Sequence, residues 1–154
     1  MKNQILASLI LSIGITVPVA VAKNKVVKIG ERPESVTKGF GGKYYVTVMN
    51  SADEEGDAVI KMLDEGKVSV FAKGLNEPKG IAFTGDYLVT ADQTRVMKVD
   101  SKGNVSILAE KKSFKRAVSF LNDVAVSHDR TRVFVTDMAA VSKMFDADTE
   151  RSLW

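Results

Sequence analysis

Three segments of the sequence carry different polar residues at one shared position, and these residue types could bind an ion. The residues are Glu34, Lys79 and Asn122, and each stands two residues before a β-branched residue. Positions that only pack would hold similar residues, whereas these hold an anion, a cation and an amide. Carboxylate and amide oxygens are hard donors that suit Ca²⁺, Mg²⁺ or Mn²⁺. If the segments meet at one point, the pattern predicts a single ligand on their common axis.

The composition excludes several other kinds of site. The 154 residues include no cysteine and one histidine, His128, which excludes disulfides, iron–sulfur clusters, thiolate zinc sites and any site that needs two imidazoles from one chain. The net charge of +3, from 22 basic and 19 acidic residues, is too small and too scattered to predict a nucleic-acid groove. The hydrophobic and charged fractions, 45% and 27%, are typical of a globular domain. We therefore expect no nucleic-acid partner.

The three polar positions lie within an internal repeat. Residues 59–72 overlay residues 96–109 without a gap, and six of the paired residues are identical. The segments that precede them also match, at spacings of 45 and 43 residues: Pro33-Glu34-Ser35-Val36, Pro78-Lys79-Gly80-Ile81 and Leu121-Asn122-Asp123-Val124. A further set of matches is Tyr45-Val46-Thr47, Leu88-Val89-Thr90 and Phe134-Val135-Thr136. Agreement across three registers is improbable by chance.

Each repeat is predicted to consist of short strands. Runs of β-branched and aromatic residues alternate with turn sequences such as Gly41-Gly42 and Asp64-Glu65-Gly66, and no segment shows a sustained helical period. Four strands in about 40–45 residues are typical of a β-propeller blade. We predict an all-β fold of four-stranded antiparallel blades at approximately 33–75, 76–118 and 119–154. This is an incomplete propeller, an open arc of about three blades, and the third blade is expected to lack its outer strand.

Several of these segments resemble a known family. Residues 78–82, 88–92 and 96–103 look like an NHL-type or gluconolactonase-type blade. Leu121-Asn122-Asp123-Val124 is similar to the Asn-Asp segment of regucalcin, gluconolactonase and paraoxonase propellers, and Pro33-Glu34-Ser35-Val36 resembles the first-blade segment of regucalcin-like lactonases. The position two residues before Asn122 is Phe120, where regucalcin-like enzymes carry an arginine.

The resemblance implies a site and an activity. Glu34 would be a metal ligand, Asn122 would contact the metal or the substrate, and Asp123 and Lys79 would lie beside them or contact the substrate. The metal would be a divalent cation, most simply Ca²⁺, with Mg²⁺ or Mn²⁺ as alternatives. The activity would be hydrolysis of a small lactone or ester, with a lactone or sugar-like substrate and a catalytic base that remains unassigned. The alternatives are a non-catalytic NHL-like binding propeller and a non-functional remnant.

The first 22 residues are predicted to be a signal peptide. A short basic head with Lys2 precedes an uncharged stretch at 5–21, which ends in Ala20-Val21-Ala22. The stretch is short for a membrane-spanning helix, which needs about 20 apolar residues, although an uncleaved anchor is the alternative. Cleavage after Ala22 predicts a periplasmic or secreted protein with no membrane contact.

The remaining 132 residues (154 − 22) are enough for about three blades of roughly 45 residues, and a ring of six needs about twice that length. Two explanations stay open. The chain is a fragment of a longer six-bladed protein, or two copies close one ring as a homodimer. In the second case residues 25–29, a spare strand ahead of the first blade, would complete the third blade of the partner copy.

Each candidate residue also has a structural interpretation. Glu34 could be a solvated loop carboxylate, Asn122-Asp123 could form an Asx-turn at the start of a strand, and Lys79 could be a surface charge. Asp92 and Asp137, which follow the second strand of their repeats, are predicted to cap backbone turns.

Overall fold

Three four-stranded antiparallel sheets make up the fold in the computed structural model, which describes residues 25–51 and 54–138 and the backbone of strands 143–146 and 151–153. Sheet I contains β1 (Arg32–Lys38), β2 (Tyr44–Met49), β3 (Ala58–Asp64) and β4 (Lys67–Leu75). Sheet II contains β5 (Pro78–Phe83), β6 (Leu88–Asp92), β7 (Arg95–Val99) and β8 (Val105–Ala109). Sheet III contains β9 (Leu121–Val126), β10 (Val133–Asp137), β11 (Lys143–Asp146) and β12 (Arg151–Leu153). Short 3-10 turns at Phe40–Gly42 and Lys111–Ser113 complete the described elements.

Each sheet is a meander of neighbouring strands, which is the arrangement of a propeller blade, and the predicted all-β, partial-propeller fold is confirmed. The sheet order follows the chain order in all three sheets, so strands that are consecutive within a sheet pair with each other. The turn between β3 and β4 shows how the sequence favours this. Glu65 and Gly66 both have positive φ, 46° and 90°, which is the backbone of a tight two-residue hairpin turn.

The expected loss of the outer strand from the third blade is wrong. The backbone of β12 pairs antiparallel with β11, from Met144 opposite Leu153 to Asp146 opposite Arg151. Sheet III therefore has four strands, as sheets I and II do. A strand at β12 was hard to predict, because Arg151-Ser152-Leu153 is a run of only three residues with one apolar residue.

Two hydrophobic cores join the sheets face to face. Between sheets I and II, one core packs side chains such as Tyr45 and Ile60 of sheet I against Leu88 and Val99 of sheet II. Between sheets II and III, a second core packs residues of β6–β8 against residues of β9 and β10. The first strand of sheet II, β5, lies close to both β1 and β9, whereas the outer strands β4 and β8 hardly touch. The sheets therefore radiate from an axis that the first strands surround.

Residues 25–30 lie in no strand of this chain, and they run beside sheet I. The ammonium Nζ of Lys61 on β3 donates to the carbonyl oxygen of Ile29 at 2.7 Å. The prediction that residues 25–29 form a strand requires a partner edge, so it stays a prediction. The predicted signal peptide, residues 1–22, lies outside the described residues.

No helix within the described residues is long and apolar enough to cross a bilayer.

Candidate axial site

The three polar positions predicted from the sequence lie at equivalent bulges in the first strands of the three sheets. In β1, Pro33 pairs with Val48 and Val36 with Val46, so Glu34 and Ser35 together face one residue, Thr47. The same irregularity occurs in β5, at Lys79-Gly80, and in β9, at Asn122-Asp123. A bulge places two residues opposite one and redirects their side chains. The fold therefore presents these three pairs of residues from neighbouring strands near the axis.

The second-strand threonines predicted to be equivalent are not all in the same register. Thr47 and Thr136 face the bulges of sheets I and III, but in sheet II the facing residue is Ala91, because Thr90 pairs with Ile81. The sequence match between Leu88-Val89-Thr90 and Tyr45-Val46-Thr47 is therefore shifted by one residue. Thr90 instead stabilises its bulge from the adjacent position, where its hydroxyl donates to the carbonyl of Gly80 at 2.8 Å.

Thr47 links two bulges across the boundary between sheets I and II. Its Oγ1 accepts a hydrogen bond from the amide of Ser35 at 3.1 Å and donates to the carbonyl of Lys79 at 2.8 Å. The Thr47 side chain is fully buried. In sheet III, Thr136 Oγ1 accepts from the amide of Asp123 at 3.0 Å. These threonines hold the candidate residues in place, and sequence reasoning identified them only as repeat positions.

Replacing Thr47 with valine is expected to lower the free energy of unfolding by about 2 kcal/mol. Valine keeps the shape but leaves the partly buried amide of Ser35 and carbonyl of Lys79 without this partner, and such losses cost about 1–3 kcal/mol in proteins. Thr136→Val is the matched control, since Thr136 is exposed and water can replace its bond. Urea unfolding of both variants measures the difference. Equal losses in the two variants would contradict the linking role of Thr47.

Lys79 is not the surface charge that its residue type suggested. Its side chain is only 14% exposed, and Nζ lies 3.2 Å from Glu77 Oε1 and 3.1 Å from the sulfur of Met49. The same ammonium lies 5.3 Å from the ring centroid of Phe120, within the range of a cation–π contact. Lys79 thus contacts residues of sheets I and II and of the segment that leads into sheet III. The aromatic ring of Phe120 therefore stabilises the positive charge of Lys79.

Glu34 is exposed, and its carboxyl interacts electrostatically with side chains from the other two sheets. Partial desolvation raises the pKa of Glu34 above its ordinary value; the charge of Lys79 opposes this shift, and the charge of Asp123 adds to it. Glu34, Lys79 and Asp123 are therefore close enough to share one field, although each belongs to a different sheet. The carboxylate of Glu34 has no ion pair among the described residues, so it is accessible to a ligand.

Asn122 and Asp123 differ in their surroundings. Asn122 is half-buried, and its amide makes no side-chain hydrogen bond within the described part of the chain. Asp123 is exposed, and its Oδ1 accepts from the amide of Val124 at 2.8 Å, a local bond of the kind that the Asx-turn interpretation expected. Asp123 also lies against Gly80 of sheet II, where a Cβ atom would come within 2.7 Å of the Asp123 Cα. The close approach of β5 and β9 requires glycine at position 80.

The donor atoms suit a hard divalent cation in type, and they supply part of a coordination shell. Glu34 and Asp123 offer carboxylate oxygens and Asn122 an amide oxygen, whereas Ca²⁺ takes 6–8 oxygen ligands. Between residues 25 and 138, apart from 52 and 53, no group of three or more His, Cys, Asp or Glu side chains is placed to hold a metal. The assignment of Glu34 and Asn122 as ligands, with Asp123 and Lys79 beside them, stays a prediction.

Asp92 and Asp137 cap backbone amides, as the sequence indicates. Asp92 is fully buried, its carboxylate accepts from the amides of Asn76 and Glu77, and Oδ2 lies 2.8 Å from Nη2 of Arg95. Asp137 accepts from the amides of Ser119 and Phe120 at 3.0 and 2.9 Å. These carboxylates fix the segments that lead into β5 and β9, and therefore the positions of the bulges that follow.

An apolar groove of about 470 Å³ runs along the open face of sheet I, and Glu34 is at its rim. Its walls are the side chains of residues 25–29 on one side and of β1, β2 and β3 on the other, with Val36, Tyr44, Val46 and Leu63 among them. Glu34 therefore lies between the axis and a hydrophobic surface.

Solved structures share this fold at low sequence identity. Regucalcin from Agrobacterium tumefaciens, described as a calcium-binding protein, superposes with a TM-score of 0.61 and 15% identity, over 79% of this chain and 44% of its own. The tricorn protease superposes with a TM-score of 0.53 and 15% identity, over 82% of this chain and 13% of its own. The chain thus spans less than half of either protein. No family model and no curated protein sequence matches the chain.

Proposed function

We propose that this chain is part of an exported, regucalcin-like propeller that binds a divalent cation at its axial bulges and hydrolyses a small lactone or ester. The observation that supports this most is the placement of Glu34, Lys79 and Asn122 at equivalent bulges of the three first strands. Asp123, beside Asn122 in the chain, is near enough to Glu34 to affect its carboxyl electrostatically. The similarity to a calcium-binding regucalcin supports Ca²⁺ as the first cation to test, with Mg²⁺ and Mn²⁺ next.

The charges at the site favour a small cation over an anionic polymer. Lys79 is paired with Glu77, whereas the carboxylates of Glu34 and Asp123 form no ion pair among the described residues. Two like charges in one field repel each other, and a bound cation removes that repulsion. Partial desolvation is the main cause of the raised pKa of Glu34; the charge of Lys79 opposes the shift and the charge of Asp123 adds to it. A proton and a cation would compete for that carboxylate.

Each residue has a distinct role in this proposal. Glu34 and Asn122 hold the cation, and water supplies further ligands. A bound divalent cation supplies Lewis-acid polarisation of a lactone carbonyl and a more acidic water. The buried ammonium of Lys79 stays fixed by Glu77 and Phe120, where it sets the position of the β5 bulge and lowers the proton affinity of Glu34. The groove beside Glu34 offers an apolar surface for the non-reacting part of a substrate.

Calcium is expected to raise the melting temperature of the protein, and the substitution Glu34→Gln is expected to abolish the effect. A ligand at ten times its dissociation constant stabilises the fold by about 1.4 kcal/mol, which is a shift of a few degrees for a domain of this size. The measurement compares the melting temperature in about 10 mM CaCl₂ with that in excess chelator. This concentration is high enough to fill even a weak, extracellular type of calcium site, whose dissociation constant is about 1 mM.

Glu31→Gln is the matched control. Glu31 is exposed and lies just before β1, and its substitution removes the same charge as Glu34→Gln does. Retention of the calcium shift in this variant separates a site at Glu34 from general screening. Equal melting temperatures in calcium and chelator for the unmodified protein would contradict the proposal. A calcium shift without any hydrolysis of lactones would favour the binding propeller over the hydrolase.

A further inference from the structure

One face of sheet I is exposed, although the equivalent faces of sheets II and III are covered by the preceding sheet. We call it the leading face and define it by Val36, Tyr44, Val46 and Leu63. Val36 is 60% exposed, whereas its equivalents Ile81 and Val124 are 5% and 7% exposed. All three follow the bulge of their first strand, so the strand register makes the comparison direct. The difference in exposure arises because a preceding sheet packs on Ile81 and Val124.

The same comparison holds on the second strands. Tyr44 is 48% exposed, whereas its equivalents Leu88 and Val133 are 0% and 1% exposed. Leu88 belongs to the core between sheets I and II, and Val133 to the core between sheets II and III. Sheet I therefore presents an apolar surface at the positions where each later sheet receives its predecessor.

The opposite face of sheet III shows the complementary difference. Tyr45 and Val89, on the faces of sheets I and II that meet the next sheet, are 1% and 0% exposed. Phe134 holds the equivalent position in sheet III and is only half-buried. Thr136 is exposed, although its equivalents Thr47 and Ala91 are fully buried. We call this surface the trailing face of sheet III, and it is of the kind that elsewhere in the chain packs on a leading face.

We propose that a second copy of this chain covers the leading face, with the trailing face of its sheet III. The contact is head-to-tail, and two copies close it because each provides both faces, so a two-fold axis relates them. The product is a ring of six sheets. The structure also indicates the size, since one copy superposes on 44% of regucalcin and two copies would equal 88%.

Residues 25–30 would form part of this interface. Lys61 holds the carbonyl of Ile29, and Gly30 lies against the side chain of Val48, so the segment follows one border of the leading face. Its backbone belongs to no strand in the single chain. Because sheet III already has four strands, with β12 at its outer end, this segment would in the ring pair with β12 of the partner copy as a fifth strand.

The ring would also bring two sets of axial donors around one centre. Glu34, Asn122 and Asp123 from two copies amount to six oxygen-bearing side chains, which is the lower limit of a calcium shell. This last step rests on the proposed function, but the association itself does not, because it depends only on the apolar faces.

Sedimentation equilibrium of the purified protein without calcium tests the association. A protein concentration of about 10–100 μM populates a dimer of micromolar dissociation constant. We expect twice the mass of one chain. Val36→Asp places a charge in the contact twice per dimer and is expected to weaken the dimer by at least about 100-fold. Val70→Asp is the matched control, because Val70 is 48% exposed on β4 at the periphery, and it is expected to leave the dimer intact.

A monomer at every concentration, or an open series of larger species, would overturn the proposal. Persistence of the dimer in Val36→Asp, or its loss in Val70→Asp, would overturn it as well. Circular dichroism shows that each variant is folded, which is expected because both valines are solvent-exposed in the single chain. The result is independent of calcium, so a failure here and a failure of the cation site are separate outcomes.

Discussion

Replacing Asp92 with alanine is expected to lower the free energy of unfolding by about 3–5 kcal/mol. The carboxylate is fully buried, accepts from the amides of Asn76 and Glu77, and pairs with Arg95 at 2.8 Å. Its removal leaves two backbone donors and a partly buried guanidinium without their acceptor, and such losses cost several kcal/mol. Because these amides precede β5, the loss also releases the bulge that contains Lys79.

Chemical denaturation of Asp92→Ala against Asp86→Ala measures this effect. Asp86 is an exposed carboxylate in the turn between β5 and β6 of the same sheet, and its removal is expected to change stability by less than about 0.5 kcal/mol. A loss below about 1 kcal/mol in Asp92→Ala would show that water or a neighbouring group takes over the capping role.

Replacing Gly80 with alanine is expected to lower the free energy of unfolding by about 3 kcal/mol and to remove the calcium response. The new methyl group would lie 2.7 Å from the Asp123 Cα and 2.8 Å from the Val124 amide nitrogen. These are backbone atoms of another sheet, so β5 and β9 must separate to admit the methyl group. Overpacking usually costs about 1–3 kcal/mol, and we expect a value at the upper end because the backbone has to move. The separation moves Asn122 and Asp123 away from Glu34.

Ser35→Ala is the control for Gly80→Ala. Ser35 holds the equivalent bulge position in β1, where a side chain is already accommodated, so this variant is expected to remain as stable as the unmodified protein. Urea unfolding and a calcium melt of both variants provide the two measurements. Unchanged stability in Gly80→Ala would mean that the sheets are less tightly packed at the axis than the structure indicates.

The sequence predicted the repeat and the sheets because both depend on local signals. Runs of β-branched residues, glycine turns and a spacing of 43–45 residues recur along the chain and need no knowledge of long-range contacts. The same signals located Glu34, Lys79 and Asn122 at equivalent positions, since each stands two residues before a β-branched residue at which strand pairing resumes. These local signals therefore predicted the position of each residue along its strand, but not its three-dimensional surroundings.

The surroundings of those residues were harder to predict. Lys79 is buried by Met49, Glu77 and Phe120, which come from three separate parts of the chain, and its residue type favours exposure. The shift between Thr47 and Thr90 was missed for a different reason. A strand has a side-chain period of two, and a bulge adds one residue. Triplets of similar residues, such as Tyr45-Val46-Thr47 and Leu88-Val89-Thr90, can therefore match in sequence although their residues pair one position apart.

The repeated bulge separates what the axis displays from what holds each sheet together. At the two positions of each bulge the chain holds Glu-Ser, Lys-Gly and Asn-Asp in turn, while strand pairing resumes at Val36, Ile81 and Val124 on the far side. Exchanging residues there leaves the pairing on both sides of the bulge unchanged, except where a neighbour demands glycine. Specificity in such a scaffold can therefore diversify one blade at a time, by duplication followed by substitution at two positions, without rebuilding the sheets.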